Sequence, residues 1–374
     1  FSLCLNYICI NLNLKINYYV GLMEDTTSLD HSGDLSLDNI RLISGHSHVN
    51  LAKNIANILG KPLVECSIKD FSNTEIKIDI NENIRNKHVF IIETGTYSYT
   101  SCKSINDYFM ETLIIIDACR RSNPKSINLI LPCYPYARQD KKEDSREPIT
   151  AKLIANLLTI AGINRLLVID LHSPQIQGFF DIPVDNLYSV NLVISHLRTT
   201  LFKNMTDDKV RDNFLIVSPD AGATKRTLKF AKLLKLNTLI MHKQRDYSQV
   251  NCVEESIIIG DVKSLVNKTA IILDDMCDTG GTLIKACETL VKFGAKDVIA
   301  IVTHGILSGK ALERINNCKH LKKMIVSNTI PQDFNMSNCS KISVFNVDEL
   351  LAEAIQKLHS SGSMSDLFIV PNLA

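Results

Sequence analysis

The chain has 374 residues, of which 45% are hydrophobic and 22% charged, a composition typical of a water-soluble globular protein of about two domains. Its formal net charge of +1 provides no basic surface for nucleic acid or for an anionic membrane, so any phosphate ligand needs a local site. Eleven cysteines occur without a Cys-x-x-Cys pair, which argues against a disulfide framework or a zinc site and indicates a reducing cytosol.

The first 40 residues differ in composition from the rest of the chain. Residues 1–22 are largely apolar, but asparagines and a lysine interrupt them, and they have neither a basic start nor a small-residue cleavage site. We therefore expect no targeting or membrane segment there. A polar stretch without periodicity runs from Met23 to Asn39, so residues 1–40 are interpreted as a disordered or artefactual leader, with Met23 a candidate start.

The order of predicted elements is repeated within the chain. A strand, a loop, a helix and a second strand follow Arg41, and the same order returns from Phe214. A fixed order that recurs about 170 residues later is typical of a duplicated α/β domain. We therefore predict an N-terminal domain over residues 41–190 and a C-terminal domain over residues 191–374.

Two loops of the first half are polar. Segment 94–106 is rich in tyrosine, serine and threonine and is predicted to be a surface loop, with Tyr97 and Tyr99 packing within it. The second loop, PCYPYARQDKK, contains Arg138, whose planar donors suit a phosphate or a stacking base, and Gln139, which can hydrogen-bond a base or a ribose. A solvated basic turn would have the same composition, so both interpretations stay open for this loop.

A third loop follows the predicted strand 166–170 and contains an imidazole and several carboxylates. Asp170 and His172 lie at the strand end, and Asp181 and Asp185 follow. These groups can coordinate Mg²⁺ directly or through water, although Mg²⁺ prefers oxygen and a lone histidine is more often structural.

The second half opens with two further polar turns. Asp220 lies in the strand-to-helix turn SPDAGATKR, where it can face a metal. Lys243 and Arg245 are spaced i and i+2 on a predicted strand, so they share a face next to the polar stretch 246–251, which can close over a substrate. Two such cations suit the charge that builds on a transferred diphosphoryl group, although a surface pair would have the same spacing.

The most informative motif is DDMCDTGGT, between an apolar strand over 270–273 and a helix closed by Gly294. Open α/β sheets bind ligands at the carboxyl ends of their strands. The N–H groups and hydroxyls of the 279–282 turn can hold a phosphate, whereas the preceding acids repel one and can accept hydrogen bonds from a diol. The pattern predicts a sugar phosphate site, the alternative being an acidic strand end with an ordinary glycine turn.

This motif resembles the phosphoribosyl diphosphate signature shared by type I phosphoribosyltransferases and ribose-phosphate diphosphokinases. The segments PYARQDKK and DLHSPQIQGFFDIPVDNL, together with the duplication, resemble the diphosphokinases, and the resemblance covers residues 41–374. It implies an α/β fold of two tandem type I phosphoribosyltransferase-like domains, the first binding ATP and the second ribose 5-phosphate, each with a central, mainly parallel sheet flanked by helices.

The resemblance also implies roles for individual residues. The residues implied for ATP are Asn73, Thr74, Glu75, Arg138 and Gln139. Those implied for ribose 5-phosphate are Arg245, Asp274, Asp278, Thr279, Gly280, Gly281 and Thr282. Lys243 and Arg245 correspond to the catalytic pair, and His172 and Asp220 to Mg²⁺ contacts, with weaker expectations for Asp170, Asp181 and Asp185.

The implied activity is transfer of the β,γ-diphosphoryl group of ATP to the C1 hydroxyl of ribose 5-phosphate, for nucleotide biosynthesis in the cytoplasm. The family implies homo-oligomers, up to hexamers, activated by phosphate and inhibited by ADP. Segment 361–365 corresponds to that regulatory region, a flexible turn being the alternative. This chain departs from the family pattern at Ala223, where a second glycine is usual, and in a longer 94–106 loop.

Two other functions remain as alternatives. A phosphoribosyltransferase would share DDMCDTGGT and consume the diphosphate, and a regulatory homologue without activity would assemble with an active diphosphokinase. The chain has no G-x-x-x-x-G-K-[ST] sequence, which excludes an ordinary P-loop kinase.

Overall fold

The computed structural model describes residues 37–97, 103–245 and 254–368, and within these ranges it gives no side-chain description for residues 243–245, 254–256, 366 and 368. Most of the expected leader, the central part of the 94–106 loop and the 246–251 stretch lie outside the described residues. Leu37–Asn39 form a short 3₁₀ turn. No helix in the described ranges is long and apolar enough to cross a membrane.

The described residues of the first half form seven strands and three α-helices. The strands are β1 (Ile40–Ser44), β2 (Cys66–Asp70), β3 (Ile76–Ile80), β4 (His88–Ile92), β5 (Ser126–Ile130), β6 (Arg165–Ile169) and β7 (Val184–Leu187). The helices are α1 (Val49–Leu59), α2 (Ile105–Arg121) and α3 (Thr150–Ala161). A parallel sheet has the order β1-β4-β5-β6-β7, and β2 and β3 form a separate antiparallel hairpin.

A second, seven-stranded sheet organises the other half. Its strands are β8 (Phe214–Ser218), β9 (Thr238–Arg245), β10 (Glu254–Ile259), β11 (Thr269–Cys277), β12 (Asp297–Gly305), β13 (Leu321–Ser327) and β14 (Ile342–Phe345). Their order is β10-β9-β8-β11-β12-β13-β14, with only β10 antiparallel to its neighbour. The helices are α4 (Val190–Thr199), α5 (Asp207–Asn213), α6 (Thr224–Leu234), α7 (Gly281–Lys292), α8 (Ala311–Asn317), α9 (Asp333–Asn338) and α10 (Asp348–His359).

Apolar side chains explain why both sheets lie inside. The strands read as continuous β-branched and leucine runs, typical of parallel sheets covered by helices on both faces. Each sheet has its own cluster of buried residues. Helix α1 buries Leu51, Ile55 and Leu59, spaced at one helical turn, and ends at Gly60 with φ 62°. The mainly parallel α/β architecture predicted from the sequence is confirmed.

The two halves also share contacts near the end of the chain. Helix α10 packs against α1, and Asn54 Nδ2 donates to Asp348 Oδ2 at 2.8 Å. The ring of His48, just before α1, lies 2.8 Å from the carbonyl oxygen of Asn328, just after β13. Helix α10 of the second half therefore packs against α1 of the first half.

Strand pairing relates the two sheets position by position. Ser44 pairs with Ile92 in the first sheet, and Val217 pairs with Ile272 in the second. One step further, the second register brings Ser218 opposite Leu273. If Ser218 is matched with Ser44, then Leu273 matches Ile92, and Asp274 of the second sheet matches Glu93 of the first. An acid thus follows the same strand in both halves.

Glu93 puts its carboxyl group inside the first half. Ser47 donates its backbone N–H, at 3.2 Å, and its hydroxyl to Oε2, while Oε1 has no hydrogen-bond partner among the described residues. A Cβ on Gly45 would overlap Oε1, so any other residue there would require the buried carboxyl group to move. Burial and the charge of nearby Glu111 raise the pKa of Glu93 well above its ordinary value.

Replacing Glu93 with glutamine is expected to stabilise the fold at about pH 7 by on the order of 1 kcal/mol. Folding raises the pKa of Glu93, so the protonated carboxyl contributes its full stability to the fold below the pKa of the unfolded chain. That contribution is lost as the pH rises through the pKa of the folded chain. The advantage of glutamine should therefore vanish at about pH 4. Urea unfolding at both pH values measures it, with the exposed Glu65→Gln as control. A difference that does not depend on pH would contradict this account.

Candidate active site

A cleft of about 1180 Å³ opens at the carboxyl ends of β6, β8 and β11. Loops from both halves line it: Arg138 and His172 come from the first sheet, and Asp220 and the 274–282 segment from the second. Ligands bind at this edge in open α/β sheets. The structure therefore brings together loops that are far apart in sequence.

Strand β11 runs further than the sequence predicted. The apolar run ends at Leu273, but Asp274 pairs with Val302 and Met276 with His304, so the strand continues to Cys277. The reason is that β12 also extends, to Gly305, and supplies backbone partners for this acidic segment. The two acids thus lie on a rigid strand, with their side chains on alternate faces.

The two neighbouring acids have very different proton affinities. Burial, followed by the negative charge of Asp275, raises the pKa of Asp274 to about 8. Burial alone would also raise the pKa of Asp275, but a hydrogen bond with His172 and the charge of Arg226 outweigh it and lower this pKa to about 2. The environment therefore favours the carboxylate form of Asp275 and the protonated form of Asp274, and such a pair can both accept from and donate to a diol.

Asp275 also orients the imidazole. His172 Nδ1 lies 2.7 Å from Asp275 Oδ2, and Arg226 Nη1 lies 3.9 Å from Oδ1 of the same carboxylate. The hydrogen bond with Asp275 raises the pKa of His172. Asp275 is a site residue that the sequence-based assignment omitted. The two adjacent acids of the motif could have indicated that Asp275 belongs to the site.

The glycine turn after β11 has the geometry expected of an anion site. Gly280 adopts φ 73°, which favours glycine, and α7 begins at Gly281. The first N–H groups of a helix have no partner within the helix and point out of its N-terminus. Thr279, Gly280, Gly281 and Thr282 all line the cleft.

A direct contact joins the two predicted substrate loops. Arg138 Nη2 donates to Asp278 Oδ2 at 2.7 Å, and the Ser308 hydroxyl donates to Oδ1 of the same carboxylate. Burial alone would raise the pKa of Asp278, but these two contacts lower it. The arginine expected to hold a nucleotide and the acid expected to hold a sugar therefore meet in the same cleft.

Other predicted ATP residues lie elsewhere. Asn73, Thr74 and Glu75 form the exposed turn of the β2–β3 hairpin and do not line this cleft. Gln139 accepts from the hydroxyl of Thr150 at the start of α3 and is also outside the lining. Arg138 is thus the one predicted ATP residue among the cleft residues that the structure describes.

Two of the three residues with weaker metal expectations accept hydrogen bonds from other groups. Asp170 is buried, and its Oδ2 accepts from the hydroxyls of Ser189 (2.5 Å) and Thr303 (2.8 Å). Asp185 accepts from Arg165 Nη1 at 2.7 Å. Asp181 is exposed and is not among the cleft residues.

Asp220 and its turn have ordinary backbone geometry. Asp220 Oδ1 accepts from the N–H of Ala223 at 2.9 Å, which closes the turn before α6. Ala223 has φ −77°, so alanine causes no strain where the family usually has glycine.

The basic residues of the second half fall into two groups. Lys243 and Arg245 lie in β9, paired with positions 256 and 254 of β10, and their side chains lie outside the described part. Lys225, Arg226 and Lys229 of α6 line the cleft, and the sequence-based assignment gave them no role. Their position directly after the Asp220 turn could have indicated that they line the cleft.

Comparison with known proteins decides the family. Residues 40–162 match the family model for the N-terminal domain of ribose phosphate pyrophosphokinase, and residues 250–369 match the phosphoribosyl synthetase-associated domain. Ribose-phosphate pyrophosphokinase 2 of Schizosaccharomyces pombe is 45% identical over 336 residues, covering 90% of this chain and 99% of that protein. The chain belongs to the ribose-phosphate pyrophosphokinase family.

Two further pyrophosphokinases agree with this assignment. Ribose-phosphate pyrophosphokinase 4 of Saccharomyces cerevisiae is 44% identical over 335 residues, covering 90% of this chain and 96% of that protein. The crystal structure of phosphoribosylpyrophosphate synthetase from Mycobacterium smegmatis has a TM-score of 0.76 and 36% identity, covering 87% of this chain and 100% of that chain. The family and the fold class predicted from the motifs are both confirmed.

The acidic groups of this pyrophosphokinase fit a weakly held divalent cation. Asp220, Asp274, Asp275 and His172 all line the cleft, and the charges of Asp275 and Asp220 help to raise the pKa of Asp274. A cation would relieve that repulsion. No group of three or more His, Cys, Asp or Glu in the described ranges is arranged as a metal cage. Such an arrangement suits Mg²⁺, which keeps several waters and is shared with substrate phosphates.

Proposed function

We propose that the chain transfers the β,γ-diphosphoryl group of ATP to the C1 hydroxyl of ribose 5-phosphate, giving 5-phosphoribosyl 1-diphosphate and AMP. The observation that carries this proposal is the 2.7 Å contact between Arg138 and Asp278. It joins a loop suited to a nucleotide with a loop suited to a sugar phosphate, as a transfer between two substrates requires.

In this proposal the second half holds the sugar. Asp274 and Asp278 bind its hydroxyls, and its phosphate lies at the N-terminus of α7, on residues 279–282. The positive φ of Gly280 and the exposure of the turn to the cleft support this role. The acids and the helix N-terminus favour opposite charges, so the sugar binds in one orientation.

The first half holds the nucleotide. Arg138 turns from Asp278 to a phosphate or to the base, because its guanidinium is more than half exposed and an exposed ion pair of this kind contributes little stability. Gln139, and Asn73 to Glu75 on the hairpin turn, add further polar contacts to ATP.

The reaction itself needs positioning and charge more than covalent work by the protein. The C1 hydroxyl attacks the β-phosphorus in line, and AMP leaves. We assign Lys243 and Arg245 to the charge on the transferring group, with the 246–251 segment closing over it. The basic face of α6, formed by Lys225, Arg226 and Lys229, lies on the same cleft and adds positive potential there.

We assign Mg²⁺ to His172 and Asp220, with Asp170, Asp181 and Asp185 as weaker candidates. When bound, the ion would neutralise phosphate charge and orient the diphosphoryl group. The ion pair between His172 and Asp275 supports this assignment, because a carboxylate commonly fixes the ring of a metal-binding histidine. Loss of turnover with EDTA and recovery with Mg²⁺, and a higher Mg²⁺ requirement in His172→Ala, would test it.

We further propose a homo-oligomer, with a hexamer expected from the family. Helix α3 exposes Leu153 (53%), Leu157 (36%) and Ile160 (73%) along one face, an apolar stripe that suits a second copy. The hairpin turn with Asn73 and Glu75 is exposed and outside the cleft, so it can complete the site of a neighbouring copy.

Mixing two impaired variants, assayed at ribose 5-phosphate well below its KM, tests this arrangement. Asn73→Ala/Glu75→Ala keeps an intact cleft, and Asp278→Ala keeps an intact hairpin. If the hairpin serves a neighbour, a dimer has a complete site only when it contains one copy of each variant. An equal mixture that assembles at random then has about one complete site in four, so about a quarter of the activity should return. If it serves its own cleft, mixing restores nothing.

Three coarser assignments accompany this function. We propose domains over 41–190 and 191–374, supported by the repeated strand order of the two sheets, with α10 returning to the first. A cytoplasmic location of the protein agrees with the seven free cysteines among the described residues.

Segment 361–365, whose serines 361 and 363 are exposed, is the candidate binding segment for phosphate or ADP as a regulator. Stimulation of turnover by added phosphate would support this assignment.

Turnover of the purified chain distinguishes the alternatives. AMP formed from ATP and ribose 5-phosphate without any added base supports the diphosphokinase. Consumption of the diphosphate only with a base would indicate a phosphoribosyltransferase. Turnover only after co-expression with a homologue would indicate a regulatory partner.

A further inference from the structure

The glycine turn after β11 and the residues leading into it accept hydrogen bonds from the segment that follows β12. Leu307 N–H donates to the carbonyl of Cys277 at 3.0 Å, and the Ser308 hydroxyl donates to Asp278. Arg314 Nη1 donates to the carbonyl of Thr279 at 2.6 Å. The consecutive residues Cys277, Asp278 and Thr279 thus each accept a hydrogen bond from this one segment.

Arg314 holds the turn from outside the cleft. It projects from α8 and is not among the residues lining the cleft, whereas Thr279 and Gly280 are. Its Nη1 lies 3.7 Å from the point where a Cβ on Gly281 would be, beside the first residue of α7. The guanidinium therefore lies against the start of the helix without occupying the space that a phosphate would use.

The orientation of the Thr279 carbonyl matters to an anion. A carbonyl oxygen carries partial negative charge, so one directed at a bound phosphate would repel it, whereas a carbonyl held by a cation outside the cleft does not. Because the peptide unit is planar, fixing this oxygen also fixes the plane that leads into Gly280 and its φ of 73°. The positive charge of Arg314 adds to the potential at the helix N-terminus.

We propose that Arg314 is a positioning residue for the phosphate of ribose 5-phosphate, acting through the carbonyl of Thr279. The inference rests on the proposed sugar site and adds a residue on α8 to it. Arg314 is exposed, so α8 does not depend on it for its core, which comes from Ala311 and Ile315. Its effect is expected on the phosphate end of the sugar and not on the nucleotide.

Steady-state kinetics of Arg314→Ala and Arg314→Lys test the proposal. Loss of a charged hydrogen bond should raise the KM for ribose 5-phosphate about 10-fold or more, with the KM for ATP and the thermal midpoint unchanged. Lysine should recover part of the loss, because it keeps the charge and a donor. Unphosphorylated ribose, measured as a competitive inhibitor, should bind both alanine variant and wild type equally.

The matched control is Lys310→Ala, which removes a positive charge from the same segment at an exposed position four residues away. It should leave the KM for ribose 5-phosphate unchanged. An equal effect of the two alanine variants, an equal rise in both KM values, or a lowered thermal midpoint would overturn the positioning role. Absence of turnover in the unmodified chain would overturn the proposed function itself, and a wild-type KM in Arg314→Ala would overturn only this inference.

Discussion

Replacing Lys243 with alanine is expected to abolish turnover while leaving binding of ribose 5-phosphate largely intact. Negative charge builds on the diphosphoryl group as it passes from AMP to the sugar, and a cation placed there stabilises the transition state more than the ground state. Removing one such group typically lowers kcat by about 10²–10³-fold. The residue lies near the end of β9, two positions before Arg245.

Two measurements separate the expected effect from a folding defect. Single-turnover kinetics report the chemical step, and calorimetry of ribose 5-phosphate reports the sugar site. Lys263→Ala, an exposed lysine outside the cleft, serves as the control and should behave as wild type. A wild-type rate in Lys243→Ala would remove this residue from the mechanism.

Replacing Asp278 with alanine is expected to weaken ribose 5-phosphate binding by about 10–100-fold, since charge-assisted hydrogen bonds to the sugar would be lost. ATP affinity should not fall. Asp278 Oδ2 accepts from Arg138 Nη2 at 2.7 Å, so the substitution removes a competitor of the nucleotide for this guanidinium. Separate calorimetric titrations with ribose 5-phosphate and with a non-hydrolysable ATP analogue would measure both effects.

The exposed Glu288 of α7 offers a matched control, because Glu288→Ala removes an acid near the same turn without touching the cleft. Both affinities should stay at their wild-type values in that variant. Equal losses for the two ligands in Asp278→Ala would contradict a division of the cleft into a sugar side and a nucleotide side.

The fold was predictable because its local signals agree with one another. Strand β11 begins as a β-branched run, a glycine turn follows, and α7 has a clear apolar face that includes Ala286, Cys287 and Leu290. The same order of elements occurs twice, so each half supports the interpretation of the other. The end of β11 was misjudged because its acidic residues owe their strand conformation to β12, which is a tertiary effect.

Residues of the site that depend on distant partners were less predictable. The role of Asp275 follows from its contact with His172, 103 residues earlier, and that of Arg314 from its contact with Thr279, 35 residues earlier. No local spacing rule connects such pairs. Composition likewise could not indicate that Asp185, a weaker metal candidate, accepts from Arg165 on the neighbouring strand.

The central claim is that the C1 hydroxyl of ribose 5-phosphate attacks the β-phosphorus of ATP within one cleft. Ribose 5-phosphate labelled with ¹⁸O at C1 tests it directly, using short incubations that limit exchange with water and ³¹P NMR of the products. The account predicts that the label appears in the bridge between C1 and the β-phosphorus, with unlabelled AMP formed in equal amount. Label in AMP, or no diphosphoryl sugar at all, would contradict it.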